Sequence, residues 1–210
     1  MEPIFAEQTI KDFVQDLNSV KPMPGGGSAA AVCGAMAAAL AGMSAHMTVG
    51  RKQYADAETA MQAVISETDI LQQDMLAMAQ EDADKYSLVL QAYKLPKTTE
   101  EESALRSASI EAASKMAVKV SMKVVAACVQ ILQLALEVVV QGNRMLVTDG
   151  AASALLARAC QQVASYNVKI NLAGVTNLEF KTDVEKQLKK QLAEGNRLEE
   201  AVRQEVEQRL

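Results

Sequence analysis

The chain has 210 residues and a net charge of −5, and half of its residues are hydrophobic although only 3% are aromatic and Trp is absent. An acidic chain without a Lys/Arg cluster has no general attraction to nucleic acid, so this partner class is not expected. Ala, Leu, Val and Met must fill the core, and because such residues favour helices and no stretch alternates like a β-strand, the sequence predicts an all-α fold.

Helical periodicity predicts long helices joined by short loops. They span about 9–19, 28–48, 55–93, 102–140 and 149–171, followed by a charged helical segment from about 182 that is expected to break near 195–196. Ser28 has the character of an N-cap, Thr98 and Glu101 have capping-box spacing, and Pro96 ends the third helix. We therefore expect one domain, 1–210, of long antiparallel helices in an elongated bundle.

Features that report on the cellular compartment agree with one another. Cys33, Cys128 and Cys160 are far apart and lie in apolar helical runs, which predicts reduced core thiols of a cytosolic protein. The start MEPIFAEQ lacks the apolar region of a signal peptide, so a cytoplasmic location is expected. Segment 29–49 is long enough to span a bilayer. It consists mostly of Ala and Gly, however, which favours a core helix and no membrane contact.

Polar side chains interrupt several apolar helical stripes. Asp82 lies in the stripe of the third helix, Asn167 and Asn171 lie one turn apart in the fifth, and His46 ends the stripe of the second. Each has a structural explanation, since Asp82 could pair with a Lys or Arg, the two Asn could fix helix register, and His46 could be a core histidine. Unsatisfied buried polar groups are costly, so the alternative is that they face a ligand.

The triple glycine 25–27 precedes a helix rich in alanine. Glycines at this position can let backbone N–H groups approach a ligand, and no GK[ST] follows, so the segment is not a P-loop. Alanines allow a neighbouring helix to approach closely, which predicts that the second helix is central or at a subunit interface. Tyr86 and Tyr93, on the stripe of Asp82, are assigned to the core, and Asp149 has the alternative role of a helix N-cap.

Five ordered segments carry a family resemblance. They are PMPGGGSAAAVCGAMAAAL, HMTVGRKQY, DADKYSLVLQAYKLPK, GNRMLVTDGAASALL and NVKINL. They resemble segments of the cyclodeaminase domain of formiminotransferase-cyclodeaminase, whose relatives include stand-alone bacterial methenyltetrahydrofolate cyclohydrolases. The chain departs from the family pattern at Met23, Arg51, Lys85, Met116 and Thr148.

The resemblance implies a dimeric, all-helical enzyme of folate one-carbon metabolism. One family reaction converts 5-formiminotetrahydrofolate to 5,10-methenyltetrahydrofolate and ammonia, and the other adds water to the methenyl group to give 10-formyltetrahydrofolate. Neither reaction implies a metal or a cofactor besides the folate substrate, and a separate formiminotransferase is a possible partner. A non-catalytic helical dimer that binds folate or a protein partner is the alternative.

Candidate catalytic residues follow from the chemistry of a cationic methenyl carbon. Carboxylates next to it would stabilise the charge, so Asp82 and Asp149 are predicted to line the same cleft. His46 titrates in the range suited to a general acid or base.

Candidate binding residues complete the predicted site. Asn167 and Asn171 could hydrogen-bond the pterin edge, and Arg51 and Lys52 could hold the anionic glutamate tail. Backbone N–H groups of the loop that opens the second helix could meet an anionic or carbonyl group. That loop comprises Gly25, Gly26, Gly27 and Ser28.

Overall fold

The computed structural model describes residues 4–210, and residues 1–3 of the N-terminal segment discussed above lie outside that range. The described chain contains helices and turns but no β-strand, so the all-α prediction is confirmed. Three short 3₁₀ turns, Phe5–Glu7, Lys52–Ala57 and Arg144–Leu146, accompany six α-helices. The α-helices are α1 (Ile10–Leu17), α2 (Gly26–His46), α3 (Glu58–Tyr93), α4 (Glu100–Gln141), α5 (Val147–Leu172) and α6 (Leu178–Arg209).

Two predicted helix N-caps are wrong by one or more residues. Helix α2 begins at Gly26 with Gly25 as its N-cap, so Ser28 lies inside the first turn and not at the cap. The capping box of α4 uses Thr99 and Glu102, the next residue along at each position. The backbone N–H of Glu102 donates to the Thr99 hydroxyl at 3.1 Å. For α4, adjacent threonines and a run of glutamates left two capping-box registers open in the sequence.

The predicted break near 195–196 is also wrong, because α6 continues to Arg209. A glycine inside a helix costs only about 1 kcal/mol relative to Ala, and tertiary packing outweighs that. Gly195 is buried against α5, where a Cβ would overlap the side chain of Gln161. The Gln161 amide donates to the carbonyl of Gln191 at 3.0 Å. Gly195 therefore allows two helices to approach closely.

Helix α2 lies at the centre of the molecule, as its alanine content predicted. It packs against α3, α4 and α5, and its alanines at 31, 37, 38, 41 and 45 have no exposed surface. The hydroxyl of Ser153 on α5 donates to the Ala37 carbonyl at 2.7 Å, which joins the two helices closely. Cys128 and Cys160 are buried and Cys33 is half-buried.

Two helices, α2 and α4, are long and apolar enough to cross a membrane by length and composition. In each, 61% of the most apolar window is buried against the rest of the protein. Core helices commonly meet this criterion, so the observation is weak evidence for a membrane span.

Candidate active site

One cavity of about 530 Å³ collects most of the predicted binding residues. The start of α2, the second half of α3, the first half of α4 and the end of α5 surround it. Its wall includes Gly25, Gly26, Gly27, Ser28, Asp82, Asn167 and Asn171. The volume is in the range of small-molecule sites, and we call it the Asp82 cavity.

The remaining predicted residues lie at the opposite end of the molecule. Helix α2 has 21 residues, so His46 is about 30 Å along the axis from the glycine loop. Asp149 precedes Asn167 on α5 by 18 positions, or about 27 Å. Within one chain, Asp149 therefore does not share a cleft with Asp82. Periodicity along each helix could not reveal that α2 and α5 run antiparallel.

The end of the molecule that holds His46 is built from local contacts. His46 is exposed, so it is not a core histidine. Asp149 lies in the first turn of α5, whose N-cap is Leu146, so it is not the cap. Arg51 is exposed and donates from Nε to the Met47 carbonyl at 2.6 Å, and Lys52 is exposed beside it.

Asp82 is the acidic group of the cavity, and it is held against the first turn of α2. Its Oδ2 accepts a hydrogen bond from the Ser28 hydroxyl at 3.3 Å, and Ser28 is fully buried. Gly27 makes room for this carboxyl group, because a Cβ there would overlap both carboxyl oxygens. No backbone strain requires this glycine, since its φ is not positive. Gly26 differs from Gly27 in this respect, because a Cβ at Gly26 would meet no atom within 4 Å.

The surroundings of Asp82 shift its pKa upwards. Burial raises the pKa of the Asp82 carboxyl, while the hydroxyl and backbone N–H of Ser28 oppose the rise. Within residues 4–210, no Lys, Arg or His forms an ion pair with Asp82. The structural alternative for Asp82, pairing with a basic residue, therefore fails for the described chain. A half-buried acid that faces a cavity and has no cationic partner is a strong candidate functional group.

The wall opposite Asp82 offers amide groups. Asn167 and Asn171 both line the cavity from the last turns of α5 and are half-buried. Their side-chain amides make no hydrogen bond to another described residue, so they do not fix helix register through such a bond. Each amide presents donors and an acceptor to whatever enters the cavity.

Two tyrosines were assigned to the wrong environment by the sequence analysis. Tyr86 and Tyr93 line the cavity and are 42% and 51% exposed, so they are not core residues. Their position four and eleven residues after Asp82 on one helical face was the signal that could have found them. Ser114, on α4, also lines the cavity and had no signal in the sequence. The aromatic faces are suited to contact a planar ring system.

Comparison with known proteins identifies the family. A model of the family described as formiminotransferase-cyclodeaminase matches residues 9–190. The chain belongs to this family. The resemblance carried by the five sequence segments is therefore confirmed, and the match includes every cavity residue.

Two relatives and one solved structure are similar to the chain. A methenyltetrahydrofolate cyclohydrolase of Methylorubrum extorquens is 34% identical over 97% of this chain and 98% of the relative. A formimidoyltransferase-cyclodeaminase of Mus musculus is 30% identical over 86% of this chain but only 33% of its own length. The crystal structure of a formiminotetrahydrofolate cyclodeaminase from Thermotoga maritima superposes with a TM-score of 0.88 at 29% identity, covering 96% of this chain and 97% of that one.

Proposed function

We propose that the protein is a folate one-carbon enzyme that acts on the amidine carbon of a tetrahydrofolate derivative, as a cyclodeaminase, a cyclohydrolase or both. The observation that carries the proposal is Asp82, a half-buried acid with no ion-pair partner in residues 4–210, which faces a cavity that also contains the amides of Asn167 and Asn171. Family membership and full-length similarity to a cyclohydrolase support it.

In the cyclodeaminase reaction, N10 of 5-formiminotetrahydrofolate attacks the formimino carbon. The C–N bond to the imino nitrogen then breaks, and ammonia leaves with the proton that it needs. Asp82, whose pKa is raised by burial, suits the role of the acid that supplies this proton. Its carboxylate then faces the cationic methenyl carbon that forms, and stabilises it. A separate formiminotransferase would supply the formimino substrate.

In the cyclohydrolase reaction, water adds to the methenyl carbon and the bond from that carbon to N5 breaks, which gives 10-formyltetrahydrofolate and releases one proton. Asp82 in its ionised form is suited to accept a proton from the attacking water. Asn167 and Asn171, which line the cavity, would hydrogen-bond the pterin edge, and Tyr86 and Tyr93 would contact the rings.

Turnover tests the proposed function directly. The wild-type protein, supplied with 5-formiminotetrahydrofolate or with 5,10-methenyltetrahydrofolate, should change the ultraviolet absorbance of the methenyl group faster than buffer does. A cyclodeaminase produces this absorbance and a cyclohydrolase removes it. Wild-type protein inert towards both substrates, but able to bind them, would instead favour a non-catalytic folate-binding dimer.

We further propose that the enzyme is a homodimer formed through one apolar face of α2 and α5. On α2 this face exposes Met36, which is 46% exposed, and Met43, and it continues to Met47 at the C-cap. On α5 it exposes Leu155, Tyr166 and Ile170, with Ile170 70% exposed. The two helices pack directly against each other. Large apolar side chains exposed on two adjacent helices are typical of an interface.

A two-fold dimer would unite the two groups of predicted site residues. Met36 is midway along Gly26–His46, and closed dimers usually have two-fold symmetry. An axis through Met36 and perpendicular to α2 would stack α2 antiparallel on its mate. The partner subunit's His46 and the partner subunit's Asp149 would then approach the Asp82 cavity. This arrangement would join the three predicted catalytic residues in one composite site.

Mixed dimers test this arrangement. Asp82→Asn and Asp149→Asn homodimers should both be weakly active, because each lacks one carboxylate in both sites. After subunits reassort at random, the mixture should regain about a quarter of wild-type activity, since half of the dimers then carry one intact site. Each variant denatured and refolded alone is the matched control. A monomer at micromolar concentration, or normal activity of Asp149→Asn, would contradict the composite site.

A further inference from the structure

A buried hydroxyl group in the wall of the Asp82 cavity has no hydrogen-bond partner in residues 4–210. This part of the chain buries ten polar side chains, and nine of them make a hydrogen bond to another described residue. Ser114, on α4, is the tenth, although it is only 2% exposed. Buried polar groups are nearly always hydrogen-bonded, so Ser114 requires an explanation.

Another serine on the same helix shows the usual arrangement. Ser121 is also buried, and its hydroxyl donates to the Ala117 carbonyl one turn earlier at 3.1 Å. Serines inside helices commonly bond the backbone in this way. The Ser114 hydroxyl instead lies against Gly174, where a Cβ would overlap its oxygen. Gly174 therefore leaves room for a hydroxyl that the helix itself does not use.

This hydroxyl borders the Asp82 cavity, which Ser114 and Gly174 both line. In the described chain, the fully enclosed side-chain oxygen that lacks a partner is Oε1 of Gln8, and not Oγ of Ser114. The little surface that Ser114 exposes therefore includes its hydroxyl oxygen. Because that surface faces the cavity, the hydroxyl is available to a ligand.

Contacts around Ser114 hold the turn between α5 and α6 against α4. The Thr176 hydroxyl donates to the Glu111 carboxylate. The same carboxylate forms an ion pair with Lys115 at 2.6 Å, and Nζ of Lys115 lies 5.6 Å from the ring centroid of Phe180. Glu111 and Lys115 are both within one turn of Ser114 on α4. Ser114 is therefore held in a fixed position, which lowers the entropic cost of binding.

We propose that the Ser114 hydroxyl is a further substrate-binding group, which hydrogen-bonds the polar edge of the pterin beside Asn171. The backbone N–H of Gly174 donates to the Asn171 carbonyl at 3.1 Å, so Ser114 and Asn171 adjoin the same turn. The pterin edge presents an amino group, a ring N–H and a carbonyl group side by side. A hydroxyl can both donate and accept, so it complements the amide of Asn171. The inference rests on the proposed function, which places a folate in this cavity.

Equilibrium binding tests this role without requiring turnover. The probe is 5-formyltetrahydrofolate, which has an oxygen in place of the imino nitrogen of the formimino substrate. Isothermal titration should show about tenfold weaker binding to Ser114→Ala than to the wild type, from the loss of one hydrogen bond at a buried group. Ser114→Cys keeps a weak donor and should lose less affinity. The same probe without its glutamate, 5-formyltetrahydropteroate, should show the same loss in Ser114→Ala, because the hydroxyl contacts the pterin.

Ser121→Ala is the matched control. It removes a buried hydroxyl from the same helix at a residue that does not line the Asp82 cavity, so it should bind both probes as tightly as the wild type. Thermal unfolding separates a binding role from a structural one. Ser114→Ala breaks no hydrogen bond within residues 4–210, and Ala is the better helix former, so its Tm should equal or exceed that of the wild type.

Each outcome decides for or against the assignment of Ser114. Wild-type affinity of Ser114→Ala, whether its Tm falls or not, would overturn it, and so would an equal loss of affinity in Ser121→Ala. A loss that disappears with 5-formyltetrahydropteroate would place the hydroxyl at the glutamate and overturn the pterin contact. Binding that depends on Ser114, in a protein inert towards both folate substrates, would keep the binding role and reject the enzyme. Turnover together with unchanged affinity of Ser114→Ala would reject Ser114 alone, and binding of neither probe would reject both proposals.

Discussion

Asp82→Asn should lower turnover of the folate substrate by about 10²–10³-fold, the typical effect of removing one group that stabilises charge in the transition state. The amide has the size of the carboxyl group and can still accept the hydrogen bond from Ser28. It cannot supply a proton to ammonia, nor oppose the positive charge of the methenyl carbon. Steady-state rates with both substrates measure the effect, and kcat should fall more than KM rises.

Asp84→Asn is the matched control, because Asp84 is two residues along α3 and exposed. It removes one carboxylate from the same helix without entering the Asp82 cavity. Its activity should equal that of the wild type. Equal loss in both variants would mean that the net charge of α3, and not the position of Asp82, supports turnover.

Thermal unfolding distinguishes a catalytic from a structural Asp82. Because burial raises the pKa of this carboxyl in the folded protein, the folded state holds the proton more tightly than the unfolded chain does. The carboxyl therefore destabilises the folded state once the pH rises above the ordinary pKa of an aspartate. Asp82→Asn removes this effect. The Tm of the variant should equal or exceed that of the wild type at pH 7, and the difference should shrink near pH 4. A lower Tm at pH 7 would make Asp82 a structural residue.

The sequence predicted the helices and part of the site because both depend on local periodicity. A polar residue that interrupts an apolar stripe is visible within a single helix, and Asp82, Asn167 and Asn171 were found in that way. All three line the same cavity. The central place of α2 followed from alanine, whose small side chain lets several helices approach one axis.

Periodicity could not predict what depends on how helices are arranged. It assigns a residue to a face but not to an end of the bundle, so Asp149 and His46 were grouped with Asp82, although one chain holds them about 30 Å away along α2 and α5. Tyr86 was assigned to the core because an aromatic residue on an apolar stripe usually packs there. Its exposure follows from the gap that α4 and α5 leave opposite α3.

Gly27→Ala should lower activity by about 10²-fold, because a misplacement of about 1 Å at a catalytic group has an effect of that size. The new Cβ would overlap both carboxyl oxygens of Asp82, so the carboxyl must leave its place beside Ser28. The unfolding free energy should fall by about 1–3 kcal/mol, as expected for an overpacked site. Kinetics with either folate, together with denaturant unfolding, measure both effects.

The adjacent glycine is the matched control, since a Cβ at Gly26 would meet no atom within 4 Å. Gly26→Ala should keep the stability of the wild type or increase it, because Ala is the better helix former. If backbone N–H groups at the start of α2 contact the ligand, the bulkier Gly26→Val should raise KM while the helix content stays the same. Normal kinetics of Gly26→Val would show that Gly26 does not contribute to ligand binding and is only part of a turn.

A double-mutant cycle decides whether the two effects of Gly27→Ala arise from Asp82. In an Asp82→Ala background the overlapping oxygens are gone, so the added methyl group at Gly27 should leave the unfolding free energy unchanged or raise it by up to about 1 kcal/mol, because Ala is the better helix former. The interaction between the two substitutions should then account for most of the stability lost in the single variant. If Gly27→Ala destabilises the Asp82→Ala protein as much as the wild type, the glycine is needed for a contact other than the carboxyl group. The glycine loop would then not be what positions the Asp82 carboxyl.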